Sequence, residues 1–167
     1  MAVNTSSVLG ASLSSSDTTK LFALGTRIHG TDDTWWEYVE ATSTFITGQL
    51  VLVNPAGTAM GMTTALLNAP SVQGMDIGFA QFAVNQGEFA FVAKQGHNLY
   101  ILCTGTIAAG TGVAAVFDGR VGAMAAGAAG QTMAGIHITT SASTATASVA
   151  IATVTWPRML TTAGVIS

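Results

Sequence analysis

Residues 44–62, TFITGQLVLVNPAGTAMGM, are echoed 62 residues further on by residues 106–124, TIAAGTGVAAVFDGRVGAM. Thr44, Gly48, Val51, Gly57 and Met62 align with Thr106, Gly110, Val113, Gly119 and Met124. Each copy reads as a glycine corner that admits the chain to a strand, then the strand, then a turn at Ala56-Gly57 or Asp118-Gly119 that reverses it. One such pair is too few for a solenoid, so the expectation is two similar hairpins of one barrel or sandwich.

The rest of the chain carries the same punctuation. Short β-rich runs lie between Gly, Asn and Asp turns, with almost no 3.6-residue periodicity supported by Leu, Lys or Glu. Strands are predicted at 35–41, 49–54, 79–84, 88–94, 98–103, 112–117, 134–139 and 145–156, with turns at NPAG, NQG, KQGHN and FDG. Short helical turns are predicted at 63–67 and 123–129, the latter equally readable as a small-residue loop. Residues 1–20, MAVNTSSVLGASLSSSDTTK, are too poor in apolar bulk to fold alone. The predicted fold is therefore all-β: a small β-barrel or β-sandwich built of hairpins over 21–167, with an extended N-terminal arm over 1–20.

The stretch FALGTRIHGTDDTWWEYVEA, residues 22–41, gathers two of the three tryptophans and four of the eight carboxylates. Alternation along a strand puts Trp35, Glu37 and Val39 on one face and Trp36, Tyr38 and Glu40 on the other. Two adjacent tryptophans cannot both enter one core. One fills the interior, and the other lies on an outer face under a partner surface or an overlying arm. The alternative is a strand with both faces covered by this same chain.

Composition narrows the function. About half of the chain is Ala, Gly, Ser or Thr, and charged residues make up 8% against roughly 25% in an average soluble domain. Mean hydropathy is +0.51, yet the charge-free runs are broken by Pro55, Pro70 and glycines or consist of small residues, so no membrane span is expected. The N-terminus lacks a basic segment followed by an apolar core, so no export leader is expected. A net charge of −3 with five basic residues argues against nucleic acid. Cys103 is alone, which excludes an internal disulfide framework; following LYIL, it reads as a small buried hydrophobe.

Motifs for chemistry are weak. AAGTGVAA (108–115) imitates a dinucleotide loop, but the Asp118-Gly119 turn arrives too early for a helix and no carboxylate follows Asp118 to hold a ribose. His29, His97 and His137 lack a second ligand at metal spacing, and no GxSxG elbow accompanies the serines. Asp32-Asp33 and Glu37/Glu40 offer paired carboxylates, but GTDDTW is ordinary turn chemistry without a calcium-loop pattern. The chain is accordingly expected to be no enzyme, with no cofactor, metal, small-molecule substrate, nucleic acid or membrane partner.

The run LFALGTRIHGTDDTWWEYVEATSTFITGQLVLVNPAGTA, followed by GFAQFAVNQGEFAFVAKQGHNLYILCTGTIAAGTGVAAVFDGRVGA and closed by TATASVAIATVTWPRML, resembles head decoration, or cement, proteins of tailed bacteriophages. The resemblance covers residues 21–160 and is one of layout; the tract GAMAAGAAGQTMAG has no counterpart. It implies a β-rich virion protein, made in the host cytoplasm, that binds the outer capsid surface and bridges neighbouring major capsid subunits. It also implies self-association, with a homotrimer favoured over a homodimer. Leu9, Leu13, Leu21 and Phe22 are the candidates for arm docking, and Trp36, Tyr38, Trp156 and Arg158 for subunit contacts. The rival reading is a glycan- or receptor-binding β module of a phage head or tail, in which exposed aromatic side chains stack on sugars.

Overall fold

The computed structural model describes residues 12–30, 33–63, 66, 75–110, 114–117, 119–123, 132–141 and 148–160. They are almost entirely β. The strands are β1 (Arg27–His29), β2 (Trp35–Ala41), β3 (Leu50–Val53), β4 (Thr58–Gly61), β5 (Asp76–Phe79), β6 (Phe89–Thr104), β7 (Ala114–Phe117), β8 (Arg120–Ala123), β9 (Thr132–Ile138) and β10 (Ser148–Leu160). No helix among the described residues is long and apolar enough to cross a membrane.

The pairings close two rings. β2 pairs with β4, β4 with β3, β3 with β5, β5 with β6, and β6 returns to β2. A second circuit runs β6–β8–β7–β9–β10 and returns to β6. Each ring has five strands and a single parallel pair, β2–β4 or β6–β8. The pair Ala41↔Ala59 in the first has its counterpart 62 residues on, Cys103↔Val121, in the second. The sequence echo therefore marks equivalent hairpins of two successive barrels, where one barrel or sandwich had been expected.

One strand belongs to both rings. The 16 residues of β6 pair with β2 over Phe89–Gln95 and with β10 over Gly96–Cys103. Separate strands were expected at 88–94 and 98–103 because KQGHN carries turn residues. The structure uses them for a kink: Gly96 and Asn98 take φ values of 146° and 57°, and the strand continues. Strand β5 also ends earlier than expected. Gln81 leaves the ladder and turns its side-chain amide onto the Tyr100 backbone, with Nε2 donating to Tyr100 O at 3.1 Å and Oε1 accepting from Tyr100 N at 2.8 Å.

The two faces of β6 serve two cores. Ala90 and Val92 join Val39, Phe45, Val51 and Val84 in one cluster, whose short side chains fill the first barrel. Phe91, Ala93, Leu99, Ile101 and Cys103 belong to the other cluster, which covers the outside of the first barrel and fills the second. Strand alternation makes this possible without any side chain changing face.

The described part of the arm packs on its own barrel. Leu13 is buried, and Asp17 exchanges two backbone hydrogen bonds of 2.8 Å with Phe89. The Ser16 hydroxyl donates to Glu88 Oε2 at 2.6 Å. Phe22 sets its ring edge-on to Tyr38, 5.2 Å between centroids, and 5.7 Å from Phe91. On the outer face of β2, Tyr38 is thus covered by Leu21 and Phe22, just after the arm.

A glycine turn welds the barrels together. Gly48, at φ 79°, accepts at its carbonyl from Leu102 N at 2.7 Å, and a Cβ there would lie 2.6 Å from that same nitrogen. Gly87 occupies the equivalent corner before β6 at φ 84°, with open space around it. Gly87→Ala is therefore expected to cost about 1 kcal/mol from left-handed strain alone. Gly48→Ala adds a backbone collision with β6 and is expected to cost at least about 3 kcal/mol. Equilibrium urea unfolding of both variants measures the difference.

Candidate functional site

Strand alternation splits the two tryptophans of β2 as the sequence implies, and their surroundings decide their roles. Trp36 and Tyr38 are buried at 3% and 0% exposure. Both side chains are taken up by packing within the chain, Tyr38 against Phe22 and Phe91. Trp35 points the other way and is half-buried. Its ring lies 4.9 Å from that of His29, its cross-strand neighbour on β1, and 6.5 Å from that of Trp156 on β10.

Trp156 is 45% exposed. The register between β10 and β9 shifts between Val154 and Arg158, and within that bulge Trp156 adopts φ 42°, unusual for a bulky residue. Opposite it, Gly135 takes φ 86°, and a Cβ there would stand only 2.4 Å from the Thr155 carbonyl oxygen. The bulge can approach β9 only because residue 135 has no side chain.

Polar groups surround these rings. His29 Nε2 and Asp33 Oδ1 are 3.0 Å apart. Thr153, three residues before Trp156, meets His97 Nδ1 at 3.1 Å and is the cross-strand partner of His137. His97 and His137 are exposed, and Thr155 is exposed beside the bulge. Gln95, the cross-strand partner of Trp35, has a buried Oε1 with no hydrogen-bond partner among the described residues. Residues from both barrels thus build one outward aromatic and polar surface.

The remaining candidates lie elsewhere. Leu9 and Asp32 lie outside the described residues. Leu21 is 50% exposed, although its backbone N–H donates to the Tyr38 hydroxyl at 3.1 Å. Arg158 sits on β10 opposite Ala134. Cys103 is buried, and burial pushes its thiol above the ordinary range. Among the described residues no group of three or more His, Cys, Asp and Glu side chains converges for a metal.

The Glu37 carboxylate, two residues along the same face of β2 from Trp35, lies in a charge network. Arg27 Nε donates to Glu37 Oε2 at 3.1 Å and Arg27 Nη2 to Asp76 Oδ2 at 2.8 Å. Lys94, 2% exposed, holds its Nζ 3.7 Å from Glu37 Oε2 and 3.5 Å from Asp76 Oδ2, ion-pair distances longer than a hydrogen bond. It follows Ala90 and Val92 along the face of β6 that looks into the first barrel. Sequence reasoning missed it, although continuing the alternation through FAFVAK would have pointed there.

The chain matches no family model and no curated protein by sequence. Among solved structures it is similar to the N base of the head fiber gp8.5 of bacteriophage phi29. That likeness has a TM-score of 0.45 and 10% identity, covering 72% of this chain and 92% of that chain. At that level it does not establish a shared fold.

Burial pushes the Lys94 ammonium below its ordinary 10.5, opposed by the Glu37 and Asp76 carboxylates. Glu37→Gln removes one of its two counter-charges and is expected to destabilise by about 3 kcal/mol, whereas Lys94→Met should cost much less. Because the folded pKa lies below the unfolded one, the cost of keeping Lys94 charged is full below the folded pKa and disappears as pH rises towards 10.5. Wild type should therefore gain stability relative to Lys94→Met as pH rises towards 10.5, as measured by urea titration.

Proposed function

We propose that this protein is a non-enzymatic structural component of a bacteriophage head that binds the outer capsid surface and bridges neighbouring major capsid subunits. The observation that carries this reading is the double barrel on one shared strand, which holds two surfaces in a fixed relation as a clamp requires. The layout resemblance of residues 21–160 supports the same reading from the sequence side. So does a surface that is short of charge and exposes Leu21, Ile46 and Val149, at 50%, 48% and 44%, without crowding them onto one strand.

The mechanism is adhesive. Modest contacts repeated at many lattice points resist outward pressure from packaged DNA by avidity. Self-association, as a trimer in preference to a dimer, would multiply those contacts. The packing of Leu13, Ser16 and Asp17 against the first barrel assigns that part of the arm to holding the domain together. Capsid contact then falls to the exposed apolar residues.

Purified protein added to undecorated heads should bind at saturable, stoichiometric sites and raise the temperature at which the heads release DNA. Paired Ile46→Asp and Val149→Asp substitutions should weaken that binding at least about tenfold while the isolated protein remains folded. Absence of saturable binding to heads would overturn the reading.

A further inference from the structure

We propose that the Trp35–Trp156 surface is a binding site for a neutral glycan. This goes beyond the capsid reading and does not depend on it. A pyranose ring presents an apolar face of C–H bonds and a rim of hydroxyls, so its site needs exposed aromatic faces beside uncharged or singly charged hydrogen-bonding groups. Those are the groups assembled here. His29, Trp35 and Trp156 follow one another at centroid spacings of 4.9 and 6.5 Å, each ring inclined to the next by 48° and 39°. They form one aromatic patch in which the Trp156 ring is 45% exposed.

The rim is polar. His29, one of the rings, is paired with Asp33, and Thr153, three residues before Trp156 on β10, is bonded to the exposed His97. Imidazoles and hydroxyls both donate and accept, and the Asp33 carboxylate accepts, which matches sugar hydroxyls. Asp33, in a chain of net charge −3, disfavours a phosphate-bearing ligand.

The backbone supplies an independent observation. Trp156 is a bulky residue held at φ 42°, in a bulge accommodated by Gly135 and with its ring still 45% exposed. A strained conformation that turns a large ring towards solvent gives nothing to the core, and such strain concentrates where a side chain must be presented to a ligand. Trp35 belongs to the first barrel and Trp156 to the second, so the site exists only while the barrels are joined.

The test uses the full chain with cellohexaose, chitohexaose, maltohexaose and mannohexaose as probes, read by intrinsic tryptophan fluorescence and by retention on the immobilised sugars. At least one probe should produce a saturable change. Trp156→Gly removes the ring but accepts the left-handed backbone, so this variant should fold. It and Trp35→Ala should each weaken binding about tenfold or more with circular dichroism unchanged. The proposal is overturned if no probe gives a saturable response, or if both variants bind as wild type does. It is equally overturned if Trp156→Gly fails to alter sugar binding but splits an oligomer in light scattering, which would make the surface a subunit contact.

Discussion

The backbone of β6 is the constraint on which the rest of the molecule depends. Its peptide groups close both rings, pairing with β2 and β5 in the first barrel and with β10 and β8 in the second. At Tyr100 and Leu102 its polar groups are taken up by the first barrel again, through the Gln81 amide and the Gly48 carbonyl. Buried peptide groups need partners, and each of these bonds fixes the position of one barrel against the other. The alternating side chains complete the joint, since one face of the strand fills the first barrel while the other faces the second core.

The unusual composition follows from this arrangement. A five-stranded ring encloses little space, and the apolar cluster of the first barrel is built of Val, Ala and Phe45, with the buried Lys94 on the same face of β6. Larger aromatics such as Tyr38 and Phe91 lie outside that ring, where Phe22 covers them. Four of the thirteen charged residues, Arg27, Glu37, Asp76 and Lys94, form one network on β1, β2, β5 and β6. The rigid joint keeps the two tryptophans of the aromatic patch in register.

The all-β class, strand β2 with its bounds, and the repeated hairpins were legible because they rest on local alternation and turn residues. The number of barrels was not legible. A 62-residue echo is equally compatible with two hairpins of one sheet, and the difference lies in long-range pairings such as Cys103↔Val121. KQGHN misled because Gly and Asn favour positive φ whether the chain reverses or only kinks. Alternation separated Trp35 from Trp36 but carried no information on which of the two faces would be covered by the rest of the chain. The meeting of Trp156 with Trp35 was not legible: those residues are brought together only by the shared strand.

Native-state hydrogen exchange along β6 tests the central claim most directly. If one strand unites both barrels, the amides of the Phe91–Ala93 and Ile101–Cys103 segments should exchange with a common free energy, through the same cooperative opening. Their protection should fall together as urea is added. Exchange of the Ile101–Cys103 segment at a clearly lower free energy, with the Phe91–Ala93 segment still protected, would show two barrels that open independently and would contradict the account.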